Sequence, residues 1–166
     1  MIKVAGIVHD SVTDGPGLRF VVFVQGCLHK CKGCHNVSTW DINCGEEWTS
    51  DRLLDELDKN PLTKGVTISG GEPFLQSSAL LDFAKGVKER GMELAIYSGF
   101  TFEELCMDEK KLELLKLCDV LVDGRFEIGK KSLDLKFRGS SNQRVIDVKK
   151  SLAENKVFVV SDERWM

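Results

Sequence analysis

Residues 65–97 read GVTISGGEPFLQSSALLDFAKGVKERGMELAIY, and this stretch decides the predicted fold. Its first five residues form a short apolar run that predicts a buried strand. Residues 78–90 place apolar side chains at helical spacing, largely on one side, and Gly91 follows them. Residues 92–97 read as a second strand. A strand, a helix and a strand in this order predict a parallel β/α unit.

Similar signals continue on both sides of this stretch. Before it come two apolar runs joined by a glycine- and proline-containing turn, and then a helix over 51–59 that Ser50 can cap. After it, Thr101 and Glu104 form a capping-box pattern at the start of a helical region, and a strand is expected at 119–122. Strands and helices therefore alternate along most of the chain.

The length of the chain limits how these units can assemble. A closed eight-fold barrel usually needs about 250 residues, whereas this chain has 166. The prediction is an α/β fold with a largely parallel sheet, arranged as an open, partial (β/α) barrel. We expect one domain over 1–166, with 138–166 as a tail. In this tail, short strands at 144–148 and 156–160 flank a helix at 149–154.

Composition narrows the class of partner. The net charge of −3 gives no electrostatic reason to expect nucleic-acid binding. The longest apolar run, residues 20–24, is too short to cross a bilayer. The first residues lack the features of a secretion signal. We therefore expect a cytoplasmic protein with reduced thiols and with neither a membrane nor a nucleic-acid partner.

Three cysteines stand in one loop with the spacing C-x3-C-x2-C: Cys27, Cys31 and Cys34. Such spacing lets the loop direct three thiolates to a common centre. Iron–sulfur clusters usually take four protein thiolates, so three would leave one iron open. A structural zinc is the alternative, with Cys44, His29 or His35 as fourth ligand. Disulfides are disfavoured in the expected compartment, and Cys106 and Cys118 read as buried, inert residues.

Several segments carry a resemblance to a known family. The loop GCLHKCKGC at 26–34 resembles the cluster loop of the radical S-adenosylmethionine superfamily, and GGEP at 70–73 resembles its methionine-binding turn. Residues 14–19 (DGPGLR), with Asn36 and 38–40 (STW), are similar to glycyl-radical-enzyme activases. Residues 119–126 and 138–144 look like the activating proteins of anaerobic ribonucleoside-triphosphate reductase. The resemblance runs from about residue 14 to residue 144, most of the chain.

This resemblance implies an open barrel of the radical S-adenosylmethionine type and a specific reaction. A [4Fe-4S] cluster would bind S-adenosylmethionine and cleave it reductively. The 5′-deoxyadenosyl radical would then take a hydrogen atom from a glycine of the partner, anaerobic ribonucleoside-triphosphate reductase. The electron would come from a low-potential donor such as flavodoxin. Two alternatives stay open: an activase of the pyruvate formate-lyase type, against which the 138–144 segment and the short chain speak, and a non-enzymatic zinc-binding module.

The resemblance also implies which residues form the site. The cluster ligands would be Cys27, Cys31 and Cys34, with no further catalytic residue. Gly33 stands where many members carry an aromatic residue near the adenine, and His35 can contact the cofactor or be an exposed loop histidine. The remaining implied cofactor contacts follow successive strands: Gly70, Gly71, Glu72, Ser98, Asp123 and Arg125. For Arg125, pairing with the methionyl carboxylate and a surface salt bridge are equally good interpretations.

Overall fold

The computed structural model describes residues 1–166 and confirms the strand–helix–strand unit at its centre. The strands are β1 (Ile2–Ser11), β2 (Arg19–Val24), β3 (Glu46–Trp48), β4 (Gly65–Gly70), β5 (Glu93–Tyr97), β6 (Val120–Asp123) and β7 (Arg144–Asp147). The helices are α1 (Ser50–Asp58), α2 (Ser77–Glu89), α3 (Phe102–Cys106), α4 (Glu109–Leu115) and α5 (Val148–Glu154).

All seven strands belong to one sheet in the order β3-β1-β2-β4-β5-β6-β7. The four adjacent strands β2, β4, β5 and β6 run parallel, while β1, β3 and β7 add antiparallel pairs at the two sides. No pairing joins β3 to β7, so the sheet does not close. The predicted α/β class and the open, largely parallel arrangement are confirmed.

Alternation along the strands divides the core between two faces of the sheet. In β5, Leu94 and Ile96 point to the main core of 25 buried residues, which the helices cover. Ala95, between them, belongs to a smaller cluster on the opposite face, together with Trp165. The near-continuous apolar character of the parallel strands follows from this burial on both faces.

Helix starts differ from the prediction in two places. Thr49, not Ser50, caps α1, because its side chain accepts a hydrogen bond from the Arg52 N–H. The helical region after Thr101 is two helices: the predicted capping box begins α3, and Asp108 then accepts from two backbone N–H groups to begin α4. A side chain that offers the backbone such bonds favours a new helix start over continuation.

The tail follows the predicted pattern only in part. Strand β7 and helix α5 form close to the expected bounds. Residues 156–160 were expected to form a strand, but only an isolated bridge between Ile146 and Val159 is present. The backbone of Asn155 has a φ of 52°, a left-handed conformation that ends α5 and turns the chain back.

The parallel strands bring their carboxyl ends to one edge of the sheet. The cysteine loop follows β2, the GGEP turn follows β4, Ser98 and Gly99 follow β5, and Gly124 follows β6. Segments that are far apart in sequence are thus neighbours at this edge, as is usual for ligand sites of parallel sheets. None of the helices combines the length and apolar character that crossing a membrane requires.

Candidate active site

The cysteine loop, residues 26–40, closes on itself at its base. The Gly26 N–H donates to the carbonyl of Thr39 at 2.6 Å, and the Cys27 N–H donates to the carbonyl of Trp40 at 3.1 Å. Gly33 has a φ of 78°, a conformation that glycine adopts without strain. These bonds and the tight turn between Cys31 and Cys34 fold the loop so that its three cysteines face one cavity.

This cavity contains about 580 Å³ of space outside the protein atoms, part of it open to solvent. Besides the cysteines, its lining comes from the ends of β4, β5 and β6, with Gly70, Gly71, Tyr97, Ser98 and Gly124 among the residues that contribute. Trp40 and Phe126 give part of the wall an aromatic, apolar character.

The three thiols are suited to a shared cluster. Burial raises the pKa of the Cys27 thiol, whereas the backbone N–H groups of His29 and Lys30 lower the same pKa by stabilising the thiolate. The Asn36 N–H donates to the sulfur of Cys34 at 3.4 Å. Backbone donors directed at cysteine sulfurs stabilise charge on thiolate ligands, and hydrogen bonds of this kind tune iron–sulfur centres.

The same residues do not form a site for a single ion. Nowhere do three or more His, Cys, Asp or Glu side chains lie close enough together to hold one metal ion. Cys44 is exposed, does not line the cavity, and donates to the carboxylate of Asp41 at 3.2 Å. Structural zinc takes four ligands around one point. Three thiols spread around a cavity fit a larger, multi-iron group instead.

The GGEP turn is built onto the base of the cysteine loop. Gly70 has a φ of 107°, and the Gly71 N–H donates to the carbonyl of Val24 at 2.9 Å. The Glu72 N–H donates to the carbonyl of Gly26 at 2.7 Å. A Cβ atom on Gly71 would collide with the Gly26 carbonyl group. The two glycines thus allow the turn, the loop and a ligand to approach one another closely.

The side chain of Glu72 is fully buried and connects three segments of the site. One carboxylate oxygen accepts from the His29 Nε2 at 2.7 Å and from the Gly99 N–H at 2.7 Å. The other accepts from the Ser98 hydroxyl at 2.8 Å and from the Phe74 N–H at 3.1 Å. A buried carboxylate is tolerated when all its acceptor capacity is used in this way.

Comparison with known proteins also indicates an iron–sulfur site. Residues 13–146 match the family described as a 4Fe-4S single cluster domain. The anaerobic ribonucleoside-triphosphate reductase-activating protein of Vibrio cholerae is 38% identical over 80% of this chain and 90% of its own length. The protein of the same name from Enterobacteria phage T4 is 39% identical, over 80% of this chain and 85% of its own. The chain belongs to this family of activating proteins.

Two proteins with other names are also similar to this chain. The pyruvate formate-lyase-activating enzyme of Listeria monocytogenes is 37% identical over 89% of this chain, which spans 63% of that enzyme. QueE from Escherichia coli shares the fold alone, with a TM-score of 0.51 and 18% identity over 60% of this chain and 53% of QueE. The predicted enzyme class, a radical S-adenosylmethionine enzyme with a [4Fe-4S] cluster and S-adenosylmethionine as cofactors, is confirmed.

Within this activating protein, the predicted site residues fall into two groups. Cys27, Cys31, Cys34, Gly70, Gly71 and Ser98 line the cavity together. The other predicted contacts do not line it: Glu72, Gly33, His35, Asp123 and Arg125. Glu72 lies behind the wall, and the exposed His35 packs against Phe126 with ring centroids 5.6 Å apart.

The two charged residues after β6 have other partners. Asp123 is buried and accepts from the Phe102 N–H at 2.8 Å and from Arg144 at 2.6 and 3.1 Å. The side chain of Arg125 is 48% exposed and lies 3.5 Å from Glu104. Asp123 thus holds the start of α3 in place, and Arg125 forms the surface pair that was one of its two predicted interpretations.

Sequence reasoning missed several cavity residues as contacts, among them His29, Tyr97, Phe126 and Gln143. Tyr97 directly precedes Ser98 at a strand end, which was an available signal. Its hydroxyl donates to the Phe137 carbonyl at 2.8 Å, and burial raises its pKa. Gln143 reaches the cavity from the 138–144 segment, which carries the resemblance to reductase activators but gave no indication of position.

Proposed function

We propose that this protein activates an anaerobic ribonucleoside-triphosphate reductase by generating a glycyl radical on it. The observation that carries the proposal is the solvent-open cavity at the carboxyl edge of the sheet, onto which three cysteines of one loop converge. The names of its relatives from Vibrio cholerae and phage T4 supply the partner class. A hydrogen atom can be taken from another protein only at a site which that protein can enter.

In this proposal Cys27, Cys31 and Cys34 hold the [4Fe-4S] cluster. Three thiolates are one fewer than such clusters usually take, so the chain leaves a coordination position for the cofactor. When bound, the cluster and S-adenosylmethionine supply one-electron cleavage of the sulfonium and a 5′-deoxyadenosyl radical that abstracts hydrogen. The chain's own contribution is to hold these groups in place and to shield them.

Residues of the cavity wall supply that placement. Gly70 and Gly71 present backbone without side chains, so a methionyl group can approach their carbonyls closely. Trp40 and Phe126 offer an apolar wall that limits water around the reacting atoms. Contacts of the cofactor with Gly33, Cys34 and His35 on the loop side stay proposals, as do contacts with Glu72, Ser98, Asp123 and Arg125.

The test uses the reduced protein, S-adenosylmethionine and a candidate anaerobic reductase, mixed without oxygen. We expect an electron paramagnetic resonance signal of a glycyl radical on the reductase, together with methionine and 5′-deoxyadenosine. The Cys31→Ala variant, prepared in parallel, should give neither. Stoichiometric zinc on four protein ligands, without labile sulfide, would defeat the enzymatic proposal.

A second candidate partner is pyruvate formate-lyase, because the Listeria activase is 37% identical over 89% of this chain. The 138–144 segment favours the reductase because its sequence resembles that of reductase activators. In the structure this segment forms a closed loop in which Gln143 accepts from the Gly139 and Ser140 N–H groups and lines the cavity. Offering both enzymes to one preparation decides between them, since only the true partner should acquire the radical.

Two finer points belong to the same proposal. We propose a low-potential donor such as flavodoxin as the electron source, because cluster potentials reach about −700 mV at the reducing end and this reaction needs that end. We propose a cytoplasmic location because none of the six cysteines is paired in a disulfide, which is the state that a reducing compartment maintains.

A further inference from the structure

The His29 side chain lies between the cysteine loop and the GGEP turn. It stands in the loop two residues after Cys27, yet its Nε2 atom is 2.7 Å from a carboxylate oxygen of Glu72, 43 residues away in sequence. Its side chain is only 7% exposed. The ring packs edge-on against Phe100 with centroids 4.6 Å apart.

The hydrogen-bond pattern around Glu72 fixes the direction of this contact. Its other three partners are the Phe74 N–H, the Gly99 N–H and the Ser98 hydroxyl. The Ser98 oxygen accepts from the Phe100 N–H at 3.0 Å, so its own proton is directed to Glu72. An ionised carboxylate that also accepts a proton-bearing Nε2 satisfies every one of these groups.

The His29 ring also has little free space around it. An added Cβ atom on Gly99 would lie 2.5 Å from Cδ2 and 2.8 Å from Nε2 of His29. The ring therefore lies directly on the backbone that follows β5. The loop with the cluster ligands, the turn after β4 and the end of β5 meet at this one carboxylate.

We propose that His29 is a positioning residue which, through Glu72, fixes the distance between the cluster loop and the cofactor-binding turn. The cluster is held by the loop, and the methionyl part of the cofactor is expected at the turn. The hydrogen bond between His29 and Glu72 joins the loop to the turn. It therefore determines how well the cofactor can contact both segments at once. Partners that orient metal ligands typically change affinity or activity by about 10- to 100-fold when they are removed.

This inference rests on the cofactors of the proposed function and not on the identity of the reductase. His29→Ala should retain the cluster, because Cys27, Cys31 and Cys34 are unchanged. It should bind S-adenosylmethionine about 10- to 100-fold more weakly. His29→Gln should restore most of this affinity, because its amide nitrogen can donate to Glu72 in place of the imidazole Nε2.

The chain contains a matched control. His9 also forms a His–Glu pair, with its Nε2 atom 2.8 Å from Glu56, but its side chain is 43% exposed and it does not line the cavity. His9→Ala removes the same kind of contact far from the cysteine loop. It should leave cluster content and cofactor affinity at the wild-type values.

The experiment reconstitutes each variant anaerobically and measures iron and sulfide. S-adenosylmethionine is then titrated into the reduced protein, without any reductase, and the change in the cluster's electron paramagnetic resonance spectrum is followed. The inference is supported if His29→Ala keeps an intact cluster but its spectrum responds more weakly to S-adenosylmethionine, and if His29→Gln recovers the wild-type response. Gly99→Ala displaces the His29 ring and should weaken the response to S-adenosylmethionine in the same way. If His29→Ala does not fold, Gly99→Ala provides the test of the inference.

Four outcomes would overturn the inference: a normal response in His29→Ala and Gly99→Ala, no recovery in His29→Gln, an equal defect in His9→Ala, or loss of the cluster from a folded His29→Ala. Failure of the reductase to acquire a radical would instead count against the proposed function. The two failures are therefore distinguishable, because the titration contains no partner protein.

Discussion

At the scale of single residues, the six cysteines differ in what surrounds their sulfur atoms. Cys27, Cys31 and Cys34 line the cavity, whereas the Cys118 sulfur is buried and donates to the Val120 carbonyl at 2.9 Å. Changing any one of the three loop cysteines to Ala should abolish reductive cleavage of S-adenosylmethionine, because an iron loses its protein ligand. Cys106→Ala should leave cleavage largely intact. Chromatographic assay of 5′-deoxyadenosine measures both, and full cleavage by all three loop variants would contradict the ligand assignment.

The same scale shows what a sequence can reveal about a site. The grouping of Cys27, Cys31 and Cys34 at one cavity was predictable because all three stand within eight residues and their spacing is itself the signal. The role of Glu72 was not, because its carboxylate is occupied by His29 and Gly99, which are 43 and 27 residues away. Nor does the sequence show that Arg144, rather than Arg125, pairs with Asp123. Contacts made across the ends of separate strands depend on how those strands assemble.

At the scale of elements, the GGEP turn and the cysteine loop behave as one unit. A Cβ atom on Gly71 would lie 2.8 Å from the Gly26 carbonyl carbon and 3.0 Å from the Thr39 oxygen, both of them backbone atoms. Gly71→Ala should therefore push the loop away from the turn and lower both cluster content and cofactor affinity. Iron analysis and titration with S-adenosylmethionine measure the two effects.

Gly6→Ala is the natural control for that substitution, because a Cβ atom there meets no atom within 4 Å. It should leave cluster content and cofactor affinity unchanged. If Gly71→Ala bound the cluster and cofactor as well as Gly6→Ala does, the close docking of turn and loop would be irrelevant to the site.

The order and type of the central elements were predictable because strands buried on both faces of the sheet form short continuous apolar runs, while the helices between them keep apolar residues at helical spacing. The point at which one helix ends and the next begins was less predictable from the sequence. Asp108 begins a second helix. The spacing of Leu112 and Leu115 does not show this break, because it fits one continuous helix as well as two. Around residues 156–160 the apolar residues suggested a strand, yet only Val159 forms a bridge. Strand formation there depends on a partner edge that the local sequence does not specify.

At the scale of the whole molecule, the two faces of the sheet are covered by different parts of the chain. Helices cover the main core, while Trp165 packs on the other face with Phe137 at 5.3 Å between centroids and with Arg19 at 5.5 Å. Arg19 is itself buried, and its guanidinium donates to Thr67 at 2.9 Å and to Glu93 at 2.9 Å. Residues from the tail thus complete the environment of a buried charge in β2.

This packing makes the prediction of one domain over 1–166 testable. Trp165→Ala should lower the free energy of unfolding by about 3 kcal/mol, the lower end for removal of a buried aromatic side chain. Trp165→Phe should cost less, because it keeps an aromatic ring and removes an indole N–H that has no hydrogen-bond partner. Met166→Ala, at a side chain 67% exposed, should change little. Urea unfolding followed by circular dichroism should show a single transition that shifts as a whole, because strands β5 and β6 contribute to both cores. A separate early transition in Trp165→Ala would mean instead that the tail folds as an independent unit.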